Sequence, residues 1–97
     1  MDSVFEWDGV KAAANWRKHR VTFELAQRAF ADPFAIVEQD RIESGEYRWR
    51  TIGRVDGVAI LLVAHSYPRG DEGVVRIISA RQATPKERRY YDRTNRA

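Results

Sequence analysis

Apolar positions along this chain recur with two periods, and the switches between them mark its elements. Val4-Phe5-Glu6-Trp7 alternates and predicts a short strand, with Val4 and Glu6 on one side and Phe5 and Trp7 on the other. Asp8 then caps a helix over 9–19, in which Val10, Ala13, Ala14 and Arg17 fall at helical spacing and predict a narrow buried stripe. Asn15, a poor helix former in mid-helix, is expected to tie a neighbouring loop by hydrogen bonds. Thr22 caps a second helix over 23–31, with Phe23, Leu25, Ala26, Ala29 and Phe30 as its apolar face, and Asp32-Pro33 stops it.

Beyond Pro33 the period falls to two. Residues 34–38 predict a strand, 40–45 a polar loop, and 46–54 a strand in which Tyr47 and Trp49 alternate with Arg48 and Arg50. Asp56-Gly57 signals a hairpin into the longest apolar strand, 58–67, which is expected at the centre of the sheet. Leu61, Val63, His65 and Tyr67 share one of its faces, and Ile60, Leu62 and Ala64 the other. After a turn comes the β-branched run 74–80, interrupted by Arg76. Thr84-Pro85-Lys86-Glu87 opens a last helix: Thr84 caps the Glu87 amide, Glu87 reaches back, and Pro85 sits where no N–H is needed. The order β-α-α-β-β-β-β-α gives an α+β domain, an antiparallel β-meander with two N-terminal helices and one C-terminal helix. The strands at 4–7 and 34–38 are its candidate open edges.

The 97 residues allow one domain, 1–97, that buries roughly 65% of its unfolded surface. A 43% hydrophobic content argues against disorder. No apolar run approaches the length of a membrane span, and the N-terminus lacks the basic start and apolar core of a secretion signal, so the cytoplasm is the expected location. With no cysteine, disulfides and thiolate metal sites are excluded. The net charge is only +3, yet fourteen of the 17 basic residues are arginine, whose planar fork suits phosphate. A polyanionic partner and a merely arginine-rich composition both fit that bias.

The chemistry-bearing set is His19, Glu46, Arg48, Arg54, His65, Tyr67, Arg76 and Arg81. Its arginines lie on consecutive strands about 4.8 Å apart, so they either converge on one phosphate or line a solvated face. Arg76 interrupts an otherwise buried run and needs a partner, for which Glu46 and Glu38 are the structural candidates. Arg81 leaves its strand just before a helix cap, where an anion could also meet free N–H groups. His19 ends a helix between Lys18 and Arg20. It is a candidate for proton transfer, although a helix-end histidine is as a rule structural; His65 is expected in the core. No Gly-rich phosphate loop, metal-ligand spacing or Gly-x-Ser-x-Gly elbow is present. RNA supplies its own nucleophile in the 2′-hydroxyl, so arginines and one base suffice to cleave it without a cofactor. A non-catalytic RNA- or operator-binding module is the alternative.

Phe5-Glu6-Trp7-Asp8, Lys11 with Asn15, Lys18-His19, Val21-Thr22-Phe23-Glu24 and Phe30-Ala31-Asp32-Pro33 together resemble the BrnT toxins. So do Glu46, Arg48, Ile52-Gly53 and above all Arg76-Ile77-Ile78-Ser79-Ala80-Arg81 with Ala83-Thr84 and Glu87-Arg88. The resemblance implies a ribonuclease toxin of a type II toxin–antitoxin pair with a RelE-like fold. Its implied partner is a BrnA-like antitoxin, which binds operator DNA through its own ribbon-helix-helix domain. On this reading Arg48, Arg76 and Arg81 meet the scissile phosphate and His19 or Glu46 moves protons. Lys18, Arg54 and Tyr67 contact RNA. The family commonly has Gly after Lys-His where this chain has Arg20; a left-handed backbone there would strain Arg20 by roughly 1 kcal/mol.

Overall fold

In the computed structural model, which describes residues 3–96, the chain runs β1 (Val4–Trp7), α1 (Gly9–His19) and α2 (Phe23–Gln27), continued by a 3-10 turn (Arg28–Ala31). Then follow β2 (Ile36–Glu43), β3 (Glu46–Val55), β4 (Ala59–Ser66), β5 (Val74–Gln82) and α3 (Pro85–Thr94). The sheet order is β1-β5-β4-β3-β2, which puts β4 at the centre and leaves β1 and β2 as edges. Strands β2 to β5 form the antiparallel meander that the hairpin signals predict. β1 does not belong to it. It pairs parallel to β5, Val4 opposite Val74 and Trp7 opposite Ile77, so the sheet is mixed. Short loops force antiparallel pairing; β1 is separated from β2 by the helices and is free to close the open side of β5.

The two faces of β4 feed two cores. Leu61 and Val63, with Val75, Ile77 and Ala80 of β5, pack under Phe23, Ala26 and Ala29 of the α2 segment. Ile60 and Leu62, with Ile52 of β3, pack under Tyr90 and Tyr91 of α3. α3 thus covers one part of the second face, hereafter the α3 face.

Several boundaries differ from the pattern-based reading for local physical reasons. The stretch 40–45 is not a loop: β2 continues through a bulge at Asp40-Arg41 to Glu43, and the turn is only Ser44-Gly45. Both turn residues have positive φ, 53° and 75°, as a tight hairpin requires. The second helix tightens to 3-10 at Arg28, where Ala29 lies directly over Gly53; a Cβ on Gly53 would overlap the Ala29 carbonyl oxygen. In α1 the predicted stripe is exposed, Val10 by 76%. The inner face is instead Ala12, Asn15 and His19.

Asn15 explains that rotation. Its side-chain amide donates to the carbonyls of Val21 and Ala80, and its oxygen accepts from the Ala80 N–H, at 2.9, 2.9 and 3.0 Å. The side chain therefore continues the pairing of β5 beyond the end of β1, as well as tying the loop after α1. That loop turns at Arg20, which is left-handed (φ 56°, ψ 33°). The strain expected there exists, and the Arg20 guanidinium lies 5.3 Å from the Trp16 ring centre, a cation–π contact that offsets part of it.

Asp32 does more than stop a helix. Its carboxylate accepts from the N–H groups of Phe34 and Arg54 and from the Tyr91 hydroxyl, joining the 3-10 turn, β3 and α3. Burial pushes its pKa up, but these hydrogen bonds and the Arg54 charge outweigh that and hold it below the usual range.

Candidate active site

A bulge in β5 decides which side chains share the α3 face. Ala64 lies opposite Ser79 but His65 opposite Ile77, so Ile78 is an extra residue in β5. Strict alternation would send Arg76 and Arg81, five residues apart, to opposite faces. With the bulge, Arg76 pairs with Ser66 and Arg81 with Leu62, and both arginines project on the α3 face.

Arg48 reaches the same face from β3. It precedes Trp49, the partner of His65, by one residue and so flanks Ser66 on the side away from Arg76. Arg48, Ser66 and Arg76 form one rung, their outer Cα atoms about 10 Å apart across three strands. The next rung is Arg50, Ala64 and Ser79. The residues at the middle of both rungs are small, and Ser66 is fully buried beneath the longer side chains beside it.

The arginines differ in how firmly they are held. Arg76 pairs with Glu6 of β1 at 2.8 Å, and not with Glu38 or Glu46; both partners are nearly half exposed. An exposed pair contributes about 0–1 kcal/mol, so a phosphate can displace the carboxylate at little cost. Arg48 is 18% exposed, with only long contacts to Glu43 (3.7 Å) and Glu46 (3.8 Å). Its Nε is buried without a hydrogen-bond partner, as is Oγ of Ser66 beside it. Arg81 is the most firmly fixed: its fork meets both oxygens of Glu87 at 2.8 and 3.0 Å. The same carboxylate accepts from the Thr84 N–H, completing the capping box. The anion position expected at the start of α3 is therefore filled by the chain's own Glu87. Hydrogen bonding to Arg81 holds the Glu87 pKa down at about 2.

The other sequence candidates lie apart from this rung. Glu46 is near it, beside Arg48. His19 sits on the inner face of α1, one turn beyond Asn15, and shares no hydrogen bond with the arginines among the described residues. Lys18 is exposed on α1. Arg54 lies over the Tyr91 ring at 5.5 Å, packed against α3. Tyr67 belongs to the opposite face, where it contacts Trp49 and His65. His65 is fully buried, as expected, with Nε2 2.8 Å from the Thr51 hydroxyl and Nδ1 unpartnered. Burial holds its pKa down at about 4.

A family model described as "Ribonuclease toxin, BrnT, of type II toxin-antitoxin system" matches residues 7–87. The chain belongs to the BrnT family. The matched span takes in both rung arginines and the Arg81–Glu87 pair. Among solved structures, the crystal structure of the Brucella abortus ribonuclease toxin BrnT is similar, with a TM-score of 0.66 at 22% identity. The match covers 86% of this chain and 99% of that one, and at such identity the likeness is one of fold. No curated protein matches the sequence. No helix among the described residues of this BrnT-family chain is long and apolar enough to cross a membrane.

Sequence reasoning missed two residues of the candidate site and a groove beside it. Glu6, the partner of Arg76, is invisible until the first and last strands are paired. Ser66 gave no signal beside the more conspicuous Ser79. Lys86, Arg89 and Arg93 of α3 face Arg50 and Glu38 across a groove of about 670 Å³; their helical spacing was the signal that could have found them.

Proposed function

We propose that this type II toxin is an endoribonuclease that works without metal, and that the Arg48–Ser66–Arg76 rung holds the scissile phosphate. One observation carries the reading: two arginines share a rung beyond the part of the sheet that α3 covers, Arg76 nearly half exposed and Arg48 with an unpartnered Nε, over a fully buried Ser66. In the reaction the RNA 2′-oxygen attacks phosphorus, the bond to the 5′-oxygen breaks, and a 2′,3′-cyclic phosphate and a 5′-hydroxyl result. Glu46, beside Arg48, takes the 2′-hydroxyl proton, and water protonates the leaving oxygen. His19, the other proton-transfer candidate, is on α1, outside the rung, and is left without a role in this scheme. Arg48 and Arg76 neutralise the charge that builds on the phosphoryl oxygens. Arg81 acts through Glu87, as a positioning residue for α3.

The antitoxin of the pair is, on this proposal, a BrnA-like ribbon-helix-helix protein that covers the same arginines and alone contacts operator DNA. The toxin then works on cytoplasmic RNA once released. Cleavage by the purified chain should survive excess EDTA and leave a 2′,3′-cyclic end, with an Arg76→Ala control excluding a contaminating nuclease. Chelation that abolishes cleavage, with recovery on Mg²⁺, would overturn the mechanism. The close pairing of Arg76 with Glu6 favours a second reading, a non-catalytic RNA-binding module; RNA that is shifted but never shortened would establish it.

A further inference from the structure

The last helix carries cations that the proposed chemistry does not use. Lys86, Arg89, Tyr90 and Arg93 are spaced i, i+3, i+4 and i+7, one stripe along α3 about 10 Å long. The stripe forms one wall of the groove of about 670 Å³, and Arg50 and Glu38 form the other. That volume suits a group of nucleotide size. The groove's acids are already engaged. Glu38 accepts from Nε and Nη2 of Arg50 and from the Tyr90 hydroxyl, and Glu87 is taken by Arg81 and Thr84. None of Lys86, Arg89 and Arg93 is paired with a carboxylate among the described residues. The groove is thus cationic wherever it is open.

It also adjoins the rung. Arg50 is two residues along β3 from Arg48 and on the same face, so their Cα atoms are about 7 Å apart. A strand of polyanion bound at the rung continues past Arg50 into the groove without crossing a free acid. Tyr90 presents an aromatic ring beside the cations, which suits a base better than an acidic peptide.

We propose that the α3 groove is a second RNA subsite. Lys86, Arg89 and Arg93 hold phosphates flanking the scissile one, and Tyr90 stacks a base of the same single strand. The proposal extends the ribonuclease reading, and it assigns the groove to affinity and register, leaving the chemical step to the rung.

The test uses the full chain and a single-stranded 2′-O-methyl RNA oligomer, which cannot supply the nucleophile. The triple variant Lys86→Gln/Arg89→Gln/Arg93→Gln should bind at least about tenfold more weakly, and the slope of log affinity against log salt should shrink by about 2. The charge-matched variant Arg17→Gln/Arg28→Gln/Arg41→Gln should bind as the wild type does. On a dinucleotide substrate the groove variant should keep the wild-type rate. Equal binding and slope in the groove and control variants would overturn the subsite. So would a groove variant that loses antitoxin affinity alone, which would make the groove a protein-docking surface. If the wild type binds in this groove-dependent way but never cleaves unmodified RNA, the ribonuclease reading falls and the subsite stands.

Discussion

Glu87 holds both arms of the Arg81 guanidinium and, with the same carboxylate, the N–H of Thr84. One side chain thus fastens the end of β5 to the start of α3, across the Gln82–Thr84 link. Removing either partner loosens the start of the helix that roofs the Ile52, Ile60 and Leu62 core.

Arg81→Ala and Glu87→Gln should each cost about 1–2 kcal/mol, seen as a fall in Tm of several degrees. The pH dependence has a definite sign. The folded Glu87 pKa lies near 2 against an ordinary 4.5, so its contribution is full above 4.5 and is lost as pH falls toward 2. Glu87→Gln should flatten that part of the stability curve. A variant that is as stable as the wild type at pH 7 would refute the fastening role.

Arg48→Ala and Arg76→Ala should slow RNA cleavage by about 30- to 1000-fold with the fold intact by circular dichroism. Arg28→Ala, which removes only an exposed pair with Asp56, should be silent. Full activity in Arg76→Ala would place the site on another surface. The same arginines test occlusion: Arg48→Glu with Arg76→Glu should weaken the antitoxin complex at physiological salt.

His65 gives a second, separate acid sensitivity. Buried and neutral, it has a folded pKa of about 4 against 6.5 in an open chain. The unfolded chain takes up the proton first, so stability is full above pH 6.5 and declines by about 3 kcal/mol as pH falls to 4. Denaturant titrations at pH 7, 6 and 5 should show this decline. His65→Leu should lose the slope in the upper part of the window, above the range where the carboxylates titrate.

Arg20 separates strain from contact. Arg20→Ala loses the Trp16 contact but keeps the left-handed strain, and should destabilise by about 0.5–1 kcal/mol. Arg20→Gly removes the strain and should be about 1 kcal/mol more stable than Arg20→Ala. Equal stability of the two would show that the turn relaxes away from positive φ.

At Gly53 the argument is steric. Gly53→Ala forces the 3-10 turn off β3 because its Cβ meets a backbone carbonyl, not the end of a flexible side chain. A loss of about 1–3 kcal/mol or more is expected in chemical unfolding.

What could be read from the sequence was what local chemistry specifies. Asp56-Gly57, the Thr84–Glu87 box and the two-faced apolar run of β4 each carry their instruction within a few residues, and each is found in place. The stripe on α1 failed because helical spacing of Val10, Ala13 and Ala14 says which residues share a side, not which side is inside; Asn15 settles that through a strand 65 residues away. The bulge at Ile78 leaves no compositional trace in a β-branched run, yet it alone sets Arg76 and Arg81 on one face. The parallel β1–β5 pairing was equally hidden, since nothing near Val4 names a partner in the last third of the chain.

That pairing has a consequence during synthesis. Glu6 waits 70 residues for Arg76, and the rung needs β3, β4 and β5 together. Contacts so distant in sequence form late. A growing polypeptide still inside the ribosome tunnel beyond residue 73 has neither β5 nor the rung. On the proposed site, the capacity to cleave RNA therefore arrives only with β5, and fragments that end before it are expected to be inactive.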